Sequence, residues 1–426
     1  MLTKWAFKFG NIKDVRDRKV VNSVTKIIRP DLIGPALPHA NRRVRELGIG
    51  PSDDFGNSFG LLPREKIQLM VHRKMIRASD DIAVSQYQPA SLDLRLGKKA
   101  FRVRASFLPG KDQTVGDQLN RLKFDEISID EGGAILEKGC VYVIPLQESL
   151  ELTDSFSAVA NPKSSTGRLD IFTRLISDRC EIFDQVARAY KGQLYAEVSP
   201  RSFSVRVKSG SKLNQIRFRR LHSNQLTKNN FTLSDADLEK THGNAKLVDG
   251  TLNLREGLLL GVALSKDSLG EIVGFRAKKH TNAIDVDQVD ACNVEDFWDP
   301  IRARHDNSLI LDPGEFYILA SKERLHIPPE FAAEMVAIDP SMGEFRVHYA
   351  GFFDPGFGYT STGHPGSRAV LEVRSHEVPF ILEDGQIIGR LVFEKMAEIP
   401  KILYGQTDTS NYQGQNLKLS KHFKMP

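Results

Sequence analysis

The sequence predicts a mainly β protein built as two tandem barrel-like or jelly-roll units with a few short helices, and two observations predict it. The first is an internal repeat. Gly139, Tyr142, Glu148, Leu150 and Phe156 recur as Gly314, Tyr317, Glu323, Leu325 and Phe331, every pair 175 residues apart. The same offset pairs Glu197 with Glu372, Gly210 with Gly385 and Phe218 with Phe393. One spacing held over that length marks a duplication, and two copies fall short of a solenoid, which needs about three repeats to bury a continuous core. The second observation is the local pattern. "SVRVKSGSKLNQIRF" alternates apolar positions at Val205 and Val207, turns at a glycine, and resumes at Leu213, Ile216 and Phe218. "VPFILEDGQIIGRLVFE" repeats the plan with Asp384-Gly385 as the turn, a strong hairpin signal. Short antiparallel strands of this kind close into barrels or jelly rolls.

In chain order, residues 1–60 form a basic extension, with eleven Lys and Arg against four Asp and Glu up to Gly50. Asp14 and Asp17 interrupt the amphipathic pattern of a targeting presequence, so an arm is expected there. From Leu61, "LLPREKIQLMVHRKMI" places a proline in a first helical turn and apolar residues at Ile67, Met70 and Val71, which predicts a short helix. The first unit is expected over 61–222, a polar linker over 223–246, and the second unit over 247–426.

Composition narrows the class. The 426 residues are 40% hydrophobic, enough for globular cores, and 59 Lys and Arg against 54 Asp and Glu give a formal net charge of +5. That excess favours anionic ligands without the concentrated basic runs of a nucleic-acid arm, so no nucleic-acid partner is expected. No apolar run approaches the ~20 residues of a membrane span. No membrane association is expected, and the location expected is the cytoplasm. Cys140, Cys180 and Cys292 are odd in number and far apart, which suits reduced, structural thiols.

Three stretches carry chemistry. "NPKSSTGRLD" sets Ser164, Ser165, a threonine and a glycine between Lys163 and Arg168. Backbone N–H groups, hydroxyls and a forked cation are the set that holds a phosphate chain, although a polar turn at a strand end would read the same way. The second-copy counterpart, "DPSMGEFR", keeps a Ser and a Gly but not the flanking basic residues. "AGFFDPGFGYTSTG" carries the turn Asp354-Pro355-Gly356, and the aligned "EIFDQV" keeps Asp184 without Pro-Gly. An aspartate retained while its turn chemistry is lost suggests a role beyond shaping the loop. Glu197 and Glu372 stand in the apolar contexts "LYAEV" and "AVLEV", where burial would raise a carboxyl toward neutral pH and fit it for proton transfer; an arginine partner or a solvated face is the commoner fate. A zinc deaminase is excluded by pattern, because no histidine is followed two positions later by Glu and no two cysteines lie close together.

Taken in order, "QPASLDLRLG", "DEISIDEGG", "NPKSSTGRLD", "AGFFDPGFG", "AVLEV" and "YGQTDTSNYQGQN" resemble the dCTP deaminase branch of the dUTPase-like nucleotide hydrolases. The resemblance covers both copies from about Leu61 onward, omitting the extension and the linker. It implies dUTPase-like distorted β-barrel units, a homo-oligomer, and active sites between neighbouring units. The family's phosphate grip matches Lys163, Ser164, Ser165 and Arg168. Its Asp-Pro-Gly turn matches Asp354, Pro355 and Gly356, with Ala350 as the small residue at the base. Its catalytic glutamate matches Glu372 and, more loosely, Glu197. Tyr404 and Gln415 match the closing tail. Gly351 and Phe352 depart from the family's His-Arg, and Asn411 stands for the tail lysine, a charge that Lys418 or Lys421 could supply.

The first copy thus keeps the grip and the second keeps the turn, glutamate and tail, so one composite site is expected. The resemblance implies hydrolytic deamination of dCTP to dUTP and ammonia, without zinc and with no protein-held metal, Mg²⁺ arriving with the triphosphate. Two rivals stand beside it: a dUTP diphosphatase or bifunctional enzyme, and a nucleotide-binding regulator that has lost turnover, for which Phe352 is the best support.

Overall fold

The computed structural model describes residues 55–56, 58–130, 132–221, 231–337, 345–347, 351–359, 365–375, 377–407 and 410–424. Most of the basic extension lies outside them. The rest belongs to one compact unit, Phe55–Pro426, rather than to two separable ones.

The protein is mainly β, and the repeat in sequence is a repeat in hydrogen-bond register. In the first copy the strand Phe156–Pro162 pairs antiparallel with Asn214–Arg220, Phe156 opposite Arg220; in the second, Phe331–Ala337 pairs with Ile387–Lys395, Phe331 opposite Lys395. A second pair of sheets repeats as faithfully. Val141–Glu151 lies between Lys99–Val103 and Lys191–Pro200, while Phe316–Leu325 lies between Ile272–Ala277 and Ser367–Ser375. Because register is fixed by which face each side chain must bury, equal registers mean equal core faces. The repeated glycines and tyrosines explain themselves here. Gly139 and Gly314 turn with φ of 80° and 73°, the left-handed region that glycine tolerates. The Tyr142 hydroxyl accepts from the Glu137 N–H at 3.0 Å, and the Tyr317 hydroxyl accepts from the Asp312 N–H at 2.9 Å.

The turn at Gly210 and the turn at Asp384-Gly385 form, but they do not make hairpins. Val205–Val207 pairs with Ala134–Leu136, and Phe380–Glu383 pairs with Ser308–Leu311. Each turn is a corner at which the chain leaves one sheet for another, as a jelly roll requires. The expected helix is Arg64–His72, capped at Pro63. The expected linker is not structureless, since Asp235–Asn244 is a helix whose Ser234 hydroxyl accepts from the Asp237 N–H at 3.2 Å. Leu238 from that helix is fully buried in the second core.

The two copies share substance. The parallel pairing of Val205 with Ile284 crosses between them. The larger core draws Phe297 and Trp298 from the second copy onto Phe203 of the first, with Phe203 and Trp298 edge to face at 5.4 Å, and Phe316 and Phe423 pack on Trp298 in turn. Among the described residues no helix is long and apolar enough to cross a membrane, and the three cysteines are unpaired.

Candidate active site

The strand Phe156–Pro162 ends at Pro162, and the chain then folds into the single turn Ser164–Gly167. This turn lies against the Asp354 loop of the second copy. Two adjoining cavities result, sharing part of their lining. The outer, of about 380 Å³, is lined by Lys163, Ser164, Ser165 and Asp93 from the first copy and by Asp354 and Tyr404 from the second. The inner, of about 50 Å³, is lined by Ser164 and Arg168 on one side and by Asp354, Glu372, Tyr404 and Gln415 on the other. Lys163, Ser164, Asp354 and Tyr404 border both. The structure therefore gathers eight of the ten candidate residues at one place, from opposite copies. Ala350 lies outside the described residues, and Glu197 is elsewhere.

Glu372 stands on Ser367–Ser375, where its carboxyl is 5% exposed. Burial pushes it up to about 8, against the pull of the Arg168 guanidinium and with Asp170 adding to the rise. Its strand is tied to the grip, since Arg374 pairs with Asp170 of the first copy, which also accepts from the Ser202 hydroxyl at 2.6 Å.

Arg168 is 3% exposed, and its guanidinium turns to the tail rather than to the outer cavity. It donates to Gln415 Oε1 at 3.1 Å and to the Lys418 carbonyl at 2.9 Å, and stacks on the Tyr412 ring 3.7 Å from its centroid. Gln415 is held at both ends of its amide, because its Nε2 donates to the Arg368 carbonyl at 2.9 Å. Ser420 donates to the Ser165 carbonyl at 2.8 Å, binding the tail to the grip.

Asp354 is buried, and its Oδ1 accepts from Arg217 at 2.8 Å. Burial raises its carboxyl above the ordinary range while Arg217 opposes the rise. Gly356 beside it has φ of 96°, and an added Cβ would come within 2.7 Å of Leu403 and 2.9 Å of the Tyr404 nitrogen. Only glycine lets the tail close so near, with Tyr404 N–H donating to Pro355 O at 2.8 Å. The Tyr404 hydroxyl accepts from the Tyr412 N–H at 3.1 Å.

Glu197 occupies the repeat-equivalent place, opposite Val143 as Glu372 is opposite Ile318. It lines neither cavity. Arg174 donates to its Oε1 at 2.6 Å and is itself packed on the rings of Phe172 and Phe183, 4.6 and 3.5 Å from their centroids. Burial pushes nearby Asp184 up to about 7.

Sequence reasoning missed several lining residues. Lys212 joins Lys163 and Lys421 around the outer cavity, facing Asp93 and Asp287. Burial lowers the Lys421 ammonium, and the neighbouring Lys163 and Lys212 add to that. Lys418 instead donates to the Asn411 carbonyl at 2.9 Å. Asp93 pairs with Lys163 through Oδ2 and leaves a buried Oδ1 without a hydrogen-bond partner. Among the described residues, no three His, Cys, Asp or Glu side chains stand together to hold a metal ion.

Fold and cleft define a protein of the dUTPase-like β class. Residues 58–222 match the 2'-deoxycytidine 5'-triphosphate deaminase (DCD) N-terminal domain, and residues 234–423 match the DCD C-terminal domain. The chain belongs to the dCTP deaminase family. It is 51% identical to the 2'-deoxycytidine 5'-triphosphate deaminase of Agrobacterium tumefaciens, whose crystal structure matches with a TM-score of 0.75 over 80% of this chain and 100% of that one. It is also 29% identical, over 43% of its length and 89% of the relative's, to a protein of Methanosphaera stadtmanae named dCTP deaminase, dUMP-forming. A protein of Beutenbergia cavernae with the same name is 34% identical over 26% of this chain and 55% of its own.

Proposed function

We propose that this protein deaminates dCTP hydrolytically to dUTP and ammonia without an activating metal ion, using one composite site per pair of copies. The observation that carries the reading is the meeting of Glu372 from the second copy with Ser164 and Arg168 from the first around one small pocket. The triphosphate, carried with Mg²⁺ as substrate, would lie in the outer cavity among Lys163, Lys212, Lys421 and the Ser164–Ser165 turn, whose donors are fixed before the substrate arrives. Asp93, with its spare buried oxygen, would face the ion. The cytosine would enter the inner cavity.

There the Glu372 carboxylate takes a proton from a water as its oxygen bonds to C4, and passes that proton to N3. A tetrahedral carbon results, bearing both hydroxyl and amino groups. Glu372 then takes the hydroxyl proton and delivers it to the amino nitrogen, the C4–N bond breaks, and ammonia leaves with the carbonyl of uracil formed. Arg168 draws the carboxyl back toward its charged form against a burial that raises it. We place the reaction in the cytoplasm, with chains associating further.

A second reading, that the same site goes on to release diphosphate and dUMP, is favoured by the names of the Methanosphaera and Beutenbergia relatives. The test is incubation with dCTP and Mg²⁺, with and without a zinc chelator, following ammonia and nucleotide. Ammonia with dUTP despite the chelator supports the first reading and dUMP with diphosphate the second. Bound dCTP returned unchanged by the wild type would sink both.

A further inference from the structure

Arg217 is 1% exposed, among the largest fully buried side chains, and no motif marks it. It stands on Asn214–Arg220 in the first copy, yet its guanidinium serves the second. Nη1 donates to the Ala333 carbonyl at 3.0 Å, and Nη2 donates to the Phe353 carbonyl at 3.0 Å and to Asp354 Oδ1 at 2.8 Å. Its face lies over the Phe352 ring, 4.0 Å from the centroid. A brace between strands would need only the two carbonyls. The carboxylate and the ring it also engages both line the outer and inner cavities.

We propose that Arg217 is a positioning residue for nucleotide binding, lent by the first copy to aim the Asp354 carboxylate and hold the Phe352 ring as a pocket wall. The proposal rests on the reading of this cleft as the dCTP site. Asp354 is buried where carboxylates tend to neutralise, and four charged groups decide its state. Arg217 and Lys163 favour the charged form, Asp93 opposes it, and Glu334 on Phe331–Ala337 competes for Arg217. A lysine cannot span the same acceptors, because its single ammonium lacks the planar fork.

The experiment measures dCTP affinity by calorimetry in a Glu372→Gln background, which removes turnover and the titration of that residue. Arg217→Lys is expected to weaken binding roughly tenfold or more and to move the acidic loss of binding to higher pH, since Asp354 then takes its proton sooner. Adding Asp354→Asn should abolish the pH effect of the lysine and leave only the smaller loss of affinity that comes through the Phe352 ring. A lysine variant that melts earlier yet binds dCTP with the same affinity and the same pH limb would make Arg217 a brace and overturn the proposal. If the lysine variant does not fold, Asp354→Asn decides alone: the acidic limb must vanish in it, and a limb that persists overturns the proposal. Failure of the functional reading shows separately, as wild-type protein that yields no ammonia.

Discussion

Arg219 pairs with Glu394, its own counterpart 175 residues later, at 2.6 Å. Equivalent positions meet only near the axis that relates the copies, and identical side chains there would set like charges together. Their divergence into opposite charges favours contact between unlike copies. The pair is buried, 11% and 7% exposed, so losing one partner strands a charge. Arg219→Glu alone should cost about 3–5 kcal/mol of stability, and Arg219→Glu with Glu394→Arg should recover most of it. Thermal melts of the four proteins check this.

Glu372 must be a carboxylate to take a proton from water, and its carboxyl sits at about 8. The rate at low dCTP should therefore climb with pH, reach half its maximum near 8 and level off above it. Arg168 opposes the rise, so Arg168→Gln should shift that limb to still higher pH as well as slow the reaction. A pH profile of kcat/KM reads both.

The same carboxyl sets a cost in stability. A group whose folded value lies above its unfolded one, here about 8 against 4.5, holds its proton more tightly when folded. Its contribution is complete below pH 4.5 and is lost as pH climbs toward 8. Glu372→Gln, which has no proton to lose, should match the wild type near pH 4.5 and melt progressively later than it toward pH 8, while forming no ammonia. Melting curves across that window test the sign.

Glu197 is locked by Arg174 and borders neither cavity. Glu197→Gln should cost roughly 1–3 kcal/mol, as Arg174 loses its buried counter-charge, and should leave the deamination rate within about threefold. A loss of hundredfold would mean that the first-copy glutamate works in catalysis.

Much of this was legible in the sequence because a duplication writes the same register twice. Tyr142 and Tyr317, Gly139 and Gly314, and Glu197 and Glu372 fall in equivalent places because equal offsets impose equal faces. The grip and the Asp354 turn could be read as complementary halves, since each copy lacks what the other keeps. What stayed hidden depends on pairings across long stretches of chain. Nothing near Val205 announces Leu136 as its neighbour rather than Ile216. Lys212 is an ordinary loop residue and Arg217 an ordinary strand residue until the second copy folds onto them. Phe352, where the resemblance leads one to expect an arginine, lies under Arg217, which brings a guanidinium to that place from another strand.

The tail that covers the cleft is fastened beyond it as well. Phe423–Lys424 pairs in parallel with Cys292–Asn293, the Phe423 ring meets Phe297 at 5.5 Å and Trp298 at 5.9 Å, and His422 Nε2 donates to the Val286 carbonyl at 2.9 Å. A segment anchored at both ends loses its conformational freedom when the protein folds, not each time a nucleotide binds. On the proposed reading the roof over the cleft is then a standing vault, and substrate and ammonia would pass through the outer cavity that Lys163 and Lys421 line rather than under a swinging door.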